Sequence, residues 1–495
     1  MPETSQPATF CRQHFAALAI AVLALAAFNL LWRVNLELVS EWDESLYATS
    51  AWEMLRSGRW IATTFLGNVD YYNVKPPLNV WLLAASFKAL GVNLVSMRIV
   101  SALSACCTVA VLMVWARRFM RQPLVALLAG VVLSACFAFV YVHAGRSGNT
   151  DSLFTLLILL TVVTLWAAQE RPWSIVWLGP VAAGVFLLKG MAVLMPVAII
   201  LAVESWRYAH GRRREWRAVA CAALLFVVPV GAWTWARWRV DQAHFLDRLF
   251  FYDFVGGTLT ALEGHEGGLL YYADVLQKYH YDWLVAGAVA LFLFPIPWSE
   301  VRKRLTFWRE ENETRILLWA WAAVTVLVPT LMQTKNSWYL QPFYPAFALG
   351  VASLIARGLV DPPDAPGRRR RQTYLAAIVV VAFLVAEGRL VAYSYSYRDL
   401  ANSTQGLLLD AREQLAGHQV FGDRWNFAEL FVLRALVGAE HRTAPDADAF
   451  LRESAAGSYF MSPRAIDRPE LQMVGSNRRY WLYRRQDTSD SGETR

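Results

Sequence analysis

Apolar runs separated by short polar stretches dominate the chain, at 14–34, 98–116, 123–143, 151–168, 173–189, 191–206, 217–238, 281–298, 316–333, 338–357 and 373–392. Most are close to the length at which an α-helix crosses about 30 Å of hydrocarbon. The pattern therefore predicts a mainly α, polytopic bundle of about eleven membrane spans. The first run, preceded by Arg12 and long enough to span, is expected to be an uncleaved anchor. The stretch Pro76–Leu90 is shorter, carries Lys88 and follows two prolines, which predicts a helix lying along the interface.

Beyond the last run the pattern changes. Short apolar strands are predicted at 418–422, 458–462 and 480–483, and helical periodicity at 426–436 and 446–454. Alternation of that kind predicts a small α/β domain over 393–485, after a membrane domain over 1–392. The polar stretch 486–495 reads as a disordered tail.

Composition agrees with the pattern: 56% of residues are apolar and 17% charged, and the 22 Trp and 19 Tyr suit rings that anchor helix ends at the headgroups. The net charge of +8 does not point to nucleic acid, because the arginines fall in groups between spans. Arg117/Arg118/Arg121, Arg207/Arg212/Arg213/Arg214/Arg217, Arg302/Lys303/Arg304 and Arg357 with Arg368–Arg371 all land on the side of the N-terminus, which predicts that side to be cytoplasmic. The periplasmic side then receives a first outer loop over 37–97, the turn 145–151, a large loop over 240–281, the turn 333–338 and the C-terminal domain. A multi-pass protein of the cell inner membrane is expected. The five cysteines lie in or beside apolar runs and form neither a disulfide framework nor a zinc spacing.

Candidate chemistry converges on that outer side. Asp43, Glu44 and Lys75 are in the first loop, Arg146 and Asp151 in the second turn, and Lys189 ends Phe186-Leu-Leu-Lys-Gly190. Glu263, His265, Tyr271 and Tyr272 are in the large loop, and Lys335 and Tyr339 in Thr334-Lys-Asn-Ser-Trp-Tyr339. Charges at span ends are commonly snorkelling anchors or caps, and Asp43 and Glu44 would also cap a helix starting near Ser45. Carboxylates mixed with several cations, however, are what transfer from a phosphate ester requires: a proton acceptor, and positive charge for the leaving phosphate. His265 with Glu263 and Glu266 admits a divalent metal without requiring one, so no cofactor is expected to be obligatory. Asp446-Ala-Asp448 reads as a helix cap. A transporter or flippase for a lipid-linked sugar is the competing class; charge gathered at one face, with no repeat, argues against it.

Asp43-Glu-Ser-Leu-Tyr47, Gly58-Arg-Trp-Ile61, Lys75-Pro-Pro77, Trp81 and Arg98-Ile-Val-Ser-Ala102 together resemble the first outer loop of membrane glycosyltransferases of the C fold (GT-C). The resemblance is to lipid A aminoarabinose transferases, galacturonosyltransferase-like enzymes and protein O-mannosyltransferases. It runs over residues 14 to 357 through Arg146 with Asp151, Leu187-Leu-Lys-Gly190, His265-Glu-Gly-Gly268, Tyr271-Tyr272, and Lys335 to Tyr339 with Pro342 and Pro345. It implies inverting transfer of one sugar from a polyprenyl-phosphate donor to a lipid A, glycan or protein acceptor at the periplasmic face. It further implies Asp43 as general base, Glu44 and Asp151 as acidic partners, and Lys75 at the donor phosphate. Tyr47, Arg146, Lys189, His265, Tyr271, Lys335 and Tyr339 are implied as substrate contacts. Two features depart from the pattern: the nearest arginine in the large loop is Arg248, and the span number is lower than in the aminoarabinose transferases.

Overall fold

Each apolar run folds as helix in a computed structural model, which describes residues 6–305, 312–360, 367–396 and 399–486. The principal helices are α1 (Phe15–Leu31), α2 (Asp43–Ser57), α3 (Leu78–Leu90), α4 (Leu94–Met120), α5 (Pro123–Ser134), α6 (Asp151–Glu170) and α7 (Leu178–Lys189). They continue as α8 (Leu194–Ala209), α9 (Trp216–Asp241), α10 (Tyr271–Leu293), α11 (Glu313–Leu331), α12 (Tyr344–Val360) and α13 (Arg368–Ser396). Among the described residues, 8 helical stretches are individually long and apolar enough to cross a membrane. One of these, Pro172–Ala209, contains both α7 and α8, which reverse at Gly190. Gly190 has φ 55°, and a β carbon there would come within 2.8 Å of Leu249. Glycine is therefore required by conformation and by space.

The bundle core is aliphatic and aromatic, with Trp115, Trp283 and Trp321 buried among the helices. One end is closed by ions: Arg207 meets Glu313 at 2.5 Å, and Arg214 meets Glu313 at 3.1 Å and Glu204 at 2.9 Å. Arg214 also donates to the Ala168 carbonyl, so the ends of α6, α8 and the start of α11 are fastened together. The expected run 281–298 begins earlier, as α10, and bends at His280, where φ is −135°. Tyr271 and Tyr272 consequently sit on a helix rather than in the large loop. The loop itself contains a π-helical stretch, Asp247–Gly256.

At the other end, α2 and α3 pack together and lie outside the membrane-crossing set, as the short apolar stretch implied. The C-terminal domain rests on them. Its five strands are β1 (Gln419–Gly422), β2 (Glu440–Thr443), β3 (Tyr459–Ser462), β4 (Leu471–Ser476) and β5 (Trp481–Arg485), in the spatial order β2-β1-β3-β5-β4. β1 pairs parallel with β2 and β3, whereas β5 runs antiparallel to β3 and β4. α13 continues to Ser396, a few residues into the span assigned to this domain. Docking is specific: the Gln405 side chain pairs with both backbone groups of Val39, and Phe87 stacks on Phe431. Residues 487–495, read as a tail, lie outside the described residues.

The first outer segment is fixed by two buried arginines. Arg98, fully buried, meets Glu44 at 2.9 Å and donates to the carbonyls of Val34, Glu37 and Leu38. Glu44 also accepts from Ser40 N and Gly148 N, so one carboxylate ties α2, α4 and the turn before α6 together. Arg146 does the same between Glu37 and the carbonyls of Asn29 and Trp32. Removing one member of a buried pair strands a charge in a dry interior, at a cost of about 3–5 kcal/mol. Arg98→Met should therefore lower stability in detergent by roughly that amount, and Arg98→Met/Glu44→Leu should recover part of it. Equal unfolding midpoints for wild type and Arg98→Met would contradict the ionised pair.

Candidate active site

The two acids that matter are the first residues of two helices. Asp43 opens α2 and Asp151 opens α6, where unsatisfied backbone N–H groups favour negative charge. Between them stands His143, in the turn before α6. A line of alternating charge results. Lys75 Nζ lies 3.5 Å from Asp43 Oδ2, His143 Nε2 3.6 Å from the same oxygen, His143 Nδ1 2.9 Å from Asp151 Oδ2, and Lys189 Nζ 2.5 Å from Asp151 Oδ1.

The line has a tight half and a loose half. Asp151 is 1% exposed and hydrogen-bonded by both neighbours, so it fixes His143 and Lys189. Its contact with Nδ1 assigns that nitrogen as the donor, leaving Nε2 toward Asp43. Asp43 keeps 26% exposure, and its contacts with Lys75 and His143 exceed ordinary hydrogen-bond length. It is the carboxylate a substrate could reach. Burial pushes the Asp43 carboxyl upward, but Lys75 first, then His143 and Lys189, outweigh it and hold it below the ordinary 3.8.

Aromatic rings frame the line. Trp338 stacks on His143 at 4.4 Å with an interplanar angle of 13°. Lys189 lies 5.9 Å over the Tyr339 ring and 5.3 Å over Phe154. Lys75 donates to Tyr47 Oη at 3.1 Å. Burial, and then the Asp43 charge, push the Tyr47 hydroxyl well above its usual range, so it remains protonated.

Two backbone positions here are strained. Trp42, immediately before Asp43, has φ 69°, and His143 has φ 58°, in the region that favours glycine. Both residues are set by their surroundings: Trp42 packs against Tyr72 and Phe427, and His143 against Trp338.

The structure thus brings Asp43, Asp151, Lys75, Lys189, Tyr47 and Tyr339 together and leaves other expected residues apart. Glu44, with no exposure, is held by Arg98 and is a positioning group rather than an accessible acid. Arg146 is likewise buried on Glu37. The Lys335 ammonium caps the end of α11, donating to the carbonyls of Pro329, Thr330 and Met332, so it is not directed at the charge line. Tyr271 adjoins Lys335 across Gly267, where a β carbon would strike both side chains. His265 is exposed and edge-on to Trp338, 6.3 Å away. Glu263, beside it in sequence, is hydrogen-bonded by the Tyr72 hydroxyl. Among the described residues no three His, Cys, Asp or Glu side chains gather as a metal site. His143 escaped the sequence reading because it was counted within the run 123–143. The signal available was a lone imidazole at the end of an apolar run, eight positions before an acid.

Comparison with known proteins agrees with this architecture. Residues 74–233 match the family described as dolichyl-phosphate-mannose-protein mannosyltransferase, a stretch that includes Lys75, His143, Asp151 and Lys189. The chain is 36% identical over 207 residues to an undecaprenyl phosphate-alpha-4-amino-4-deoxy-L-arabinose arabinosyl transferase 2 of Pseudomonas fluorescens, covering 40% of this chain and 35% of that one. It is 27% identical over 402 residues to an arabinosyl transferase 1 of the same species, covering 78% and 68%. In the first two relatives the matched region spans 35% and 60% of their length. Among solved structures, ArnT from Cupriavidus metallidurans bound to undecaprenyl phosphate superposes with a TM-score of 0.66 at 15% identity, over 95% of this chain and 97% of that one. The Archaeoglobus fulgidus oligosaccharyltransferase gives 0.58 at 10% identity, over 92% and 70%.

The charge line makes a checkable electrostatic statement. Because the folded-state pKa of Asp43 is depressed, its ionised form stabilises the fold fully above pH 3.8, and that contribution is lost as pH falls below this value through the folded pKa. In Lys75→Gln the folded pKa moves back toward 3.8, so the acid-induced loss should be smaller, since the largest lowering charge is gone. Melting curves of wild type, Lys75→Gln and Asp43→Asn across pH 2.5–6, chosen to bracket about 3.9, would show this. Coincident pH dependence of the first two would refute it. In fold the chain is similar to ArnT, and in sequence it is similar to the arabinosyl transferases and, over residues 74–233, to the mannosyltransferase family.

Proposed function

We propose that the protein is an integral-membrane glycosyltransferase that moves one sugar from a polyprenyl-phosphate donor to an acceptor hydroxyl at the periplasmic face. The observation that carries this reading is the accessible Asp43 carboxylate set beside Lys75 and backed by a rigid His143–Asp151–Lys189 relay. The names of the two arabinosyl transferases, both built on undecaprenyl phosphate, support the donor class. The arginine-rich bundle end, with Arg207 and Arg214, takes the cytoplasmic side by the excess of positive charge there. The Asp43 end, with the C-terminal domain, is then periplasmic.

In the proposed reaction Asp43 accepts the acceptor's hydroxyl proton as its oxygen bonds to the anomeric carbon. The bond from that carbon to the phosphate oxygen breaks, and the polyprenyl phosphate leaves with the electron pair. Attack opposite the leaving group inverts the anomeric centre. Lys75 stabilises the leaving phosphate in a site where low water content strengthens charge contacts. It also tunes the base. Lys75 is the main charge depressing Asp43, so a donor phosphate that draws the ammonium toward itself raises the basicity of Asp43 when the donor is bound. Lys189 and His143 are held in place by Asp151. The transferred sugar is a hexose, an aminopentose or a uronic acid.

Asp43→Asn is near-isosteric and leaves the His143–Asp151–Lys189 contacts intact. It should reduce transfer from a polyprenyl-phosphate sugar by about 10²–10⁴-fold, the range for losing a general base, in a protein that still folds and melts cooperatively, its melting temperature lowered only by the lost ionic contribution of Asp43. Lys75→Ala should weaken donor use. Membranes from cells carrying either variant should accumulate the lipid-linked sugar, and wild-type turnover by Asp43→Asn would overturn the assignment.

A further inference from the structure

A cleft of about 640 Å³ lies between the far end of α2, the Gly67 turn and the edge of the C-terminal sheet. Four arginines line it: Arg56 and Arg59 from the first outer segment, Arg434 and Arg442 from the C-terminal domain. Only two carboxylates share the lining, and one of them is already committed. Glu53 is buried and accepts from Thr64 Oγ1 at 2.7 Å, from Gly67 N at 3.1 Å and from Arg434 at 3.2 Å. The other, Glu440, is exposed and reaches Arg442 only at 3.8 Å. Arg56 lies on the face of Trp52, 4.8 Å from the ring centroid, and Arg434 on the same ring at 5.4 Å. Arg59 is held by the Gly67 carbonyl. Among the described residues neither Arg56 nor Arg59 has a carboxylate partner.

β2 is an edge strand, and charge on its own residues would be explained by protection of that edge. That account does not reach Arg56 and Arg59, which belong to a different part of the chain and face the same space. Like charges drawn together across a domain boundary repel, and a bound anion relieves the repulsion. His441 does not add to them: burial, then Arg434 and Arg442, lower its pKa and keep it neutral near pH 7. Forked guanidinium donors around a space of this size suit a phosphoryl group, which they meet two bonds at a time. The distance from the charge line follows from the helix they share. Trp52 and Arg56 are 9 and 13 residues beyond Asp43 on α2, so the cleft lies about 14–20 Å along the axis.

We propose that this cleft binds a phosphoryl group carried by the acceptor, and so holds an acceptor whose reacting hydroxyl is more than one sugar away from that phosphate. The inference rests on the transferase reading for the word acceptor, but the anion site itself does not. The test uses the full chain in detergent or nanodiscs. Binding of inorganic phosphate, and of micelles with and without phosphatidic acid, is compared among wild type, Lys75→Ala, which removes the phosphate contact at the charge line, and an arginine variant, Lys75→Ala/Arg56→Gln/Arg442→Gln, whose substituted arginines are exposed. Lys75→Ala sets the reference for phosphate bound away from the charge line, and the arginine variant should bind at least tenfold more weakly than that reference, with a binding advantage that falls with added salt. Stronger capture of phosphatidic acid than of inorganic phosphate would support the site with a lipid headgroup as source; the reverse order would support it with a soluble phosphorylated glycan. Undiminished phosphate binding by the arginine variant would overturn the proposal and leave the transferase reading standing. Loss of binding in that variant, with no sugar transfer by wild type, would support the anion site and refute the transferase reading.

Discussion

The outer end of the molecule depends on keeping Glu44 ionised in a place without water. Its neighbour Asp43 has the same chemistry and a different fate, because adjacent residues at a helix start point in different directions. Arg98 and two backbone N–H groups surround Glu44, and the same guanidinium gathers the carbonyls of the segment that leads into α2. Dry ion pairs of this kind contribute little net stability compared with apolar packing. What this one provides is register: it fixes where α2 begins, and hence where Asp43 stands relative to Lys75 and His143.

Much of this was legible in the chain. The helical bundle, the short helix over 78–90 and three of the five C-terminal strands follow from hydrophobic period and length alone. The span count does not: the pattern predicts about eleven, whereas 8 helical stretches among the described residues are individually long and apolar enough to cross. β2 and β4 did not, and the reason is physical. Glu440-His-Arg-Thr443 is a polar edge strand, and Leu471-Gln-Met-Val-Gly-Ser476 is largely exposed, so neither carries the apolar alternation that marks a half-buried strand. At the site, residue type identified which acids and lysines converge, but it could not separate Asp43 from Glu44 or Lys189 from Lys335. That separation depends on burial and partners. Arg98, named in the motif only as sequence, turned out to be the partner that decides between the two acids.

Two of the seven non-glycine residues with positive φ among the described residues lie at the charge line. Trp42 and His143 both hold positive φ with large side chains, a conformation that costs on the order of 1–3 kcal/mol at each position. The tryptophan is braced by Tyr72 and by Phe427 of the C-terminal domain, and the histidine by the Trp338 ring. Distant parts of the chain therefore meet at the residues that flank the charge line. A small domain that contributes no side chain to that line still helps to fix its backbone, through Phe427 on Trp42 and Gln405 on Val39.

The contrast between the two halves of the charge line bears on how a lipid-borne substrate could enter. Asp151, His143 and Lys189 are anchored by a helix start, a stacked ring and a helix end, and their mutual contacts are short. Lys75 instead extends from a segment whose backbone is organised locally, by Asp70 accepting from Tyr72 N and Asn73 N, before two prolines. That segment is clasped to the large outer loop through Tyr72 and Glu263. A phosphate arriving beside Lys75 competes with Asp43 for one ammonium, and the loser of that competition is the weaker, longer contact already present at 3.5 Å. In the proposed reaction this looseness matters: a shorter Lys75–Asp43 bond would hold the base protonation-resistant and the cation occupied, and neither could serve a donor.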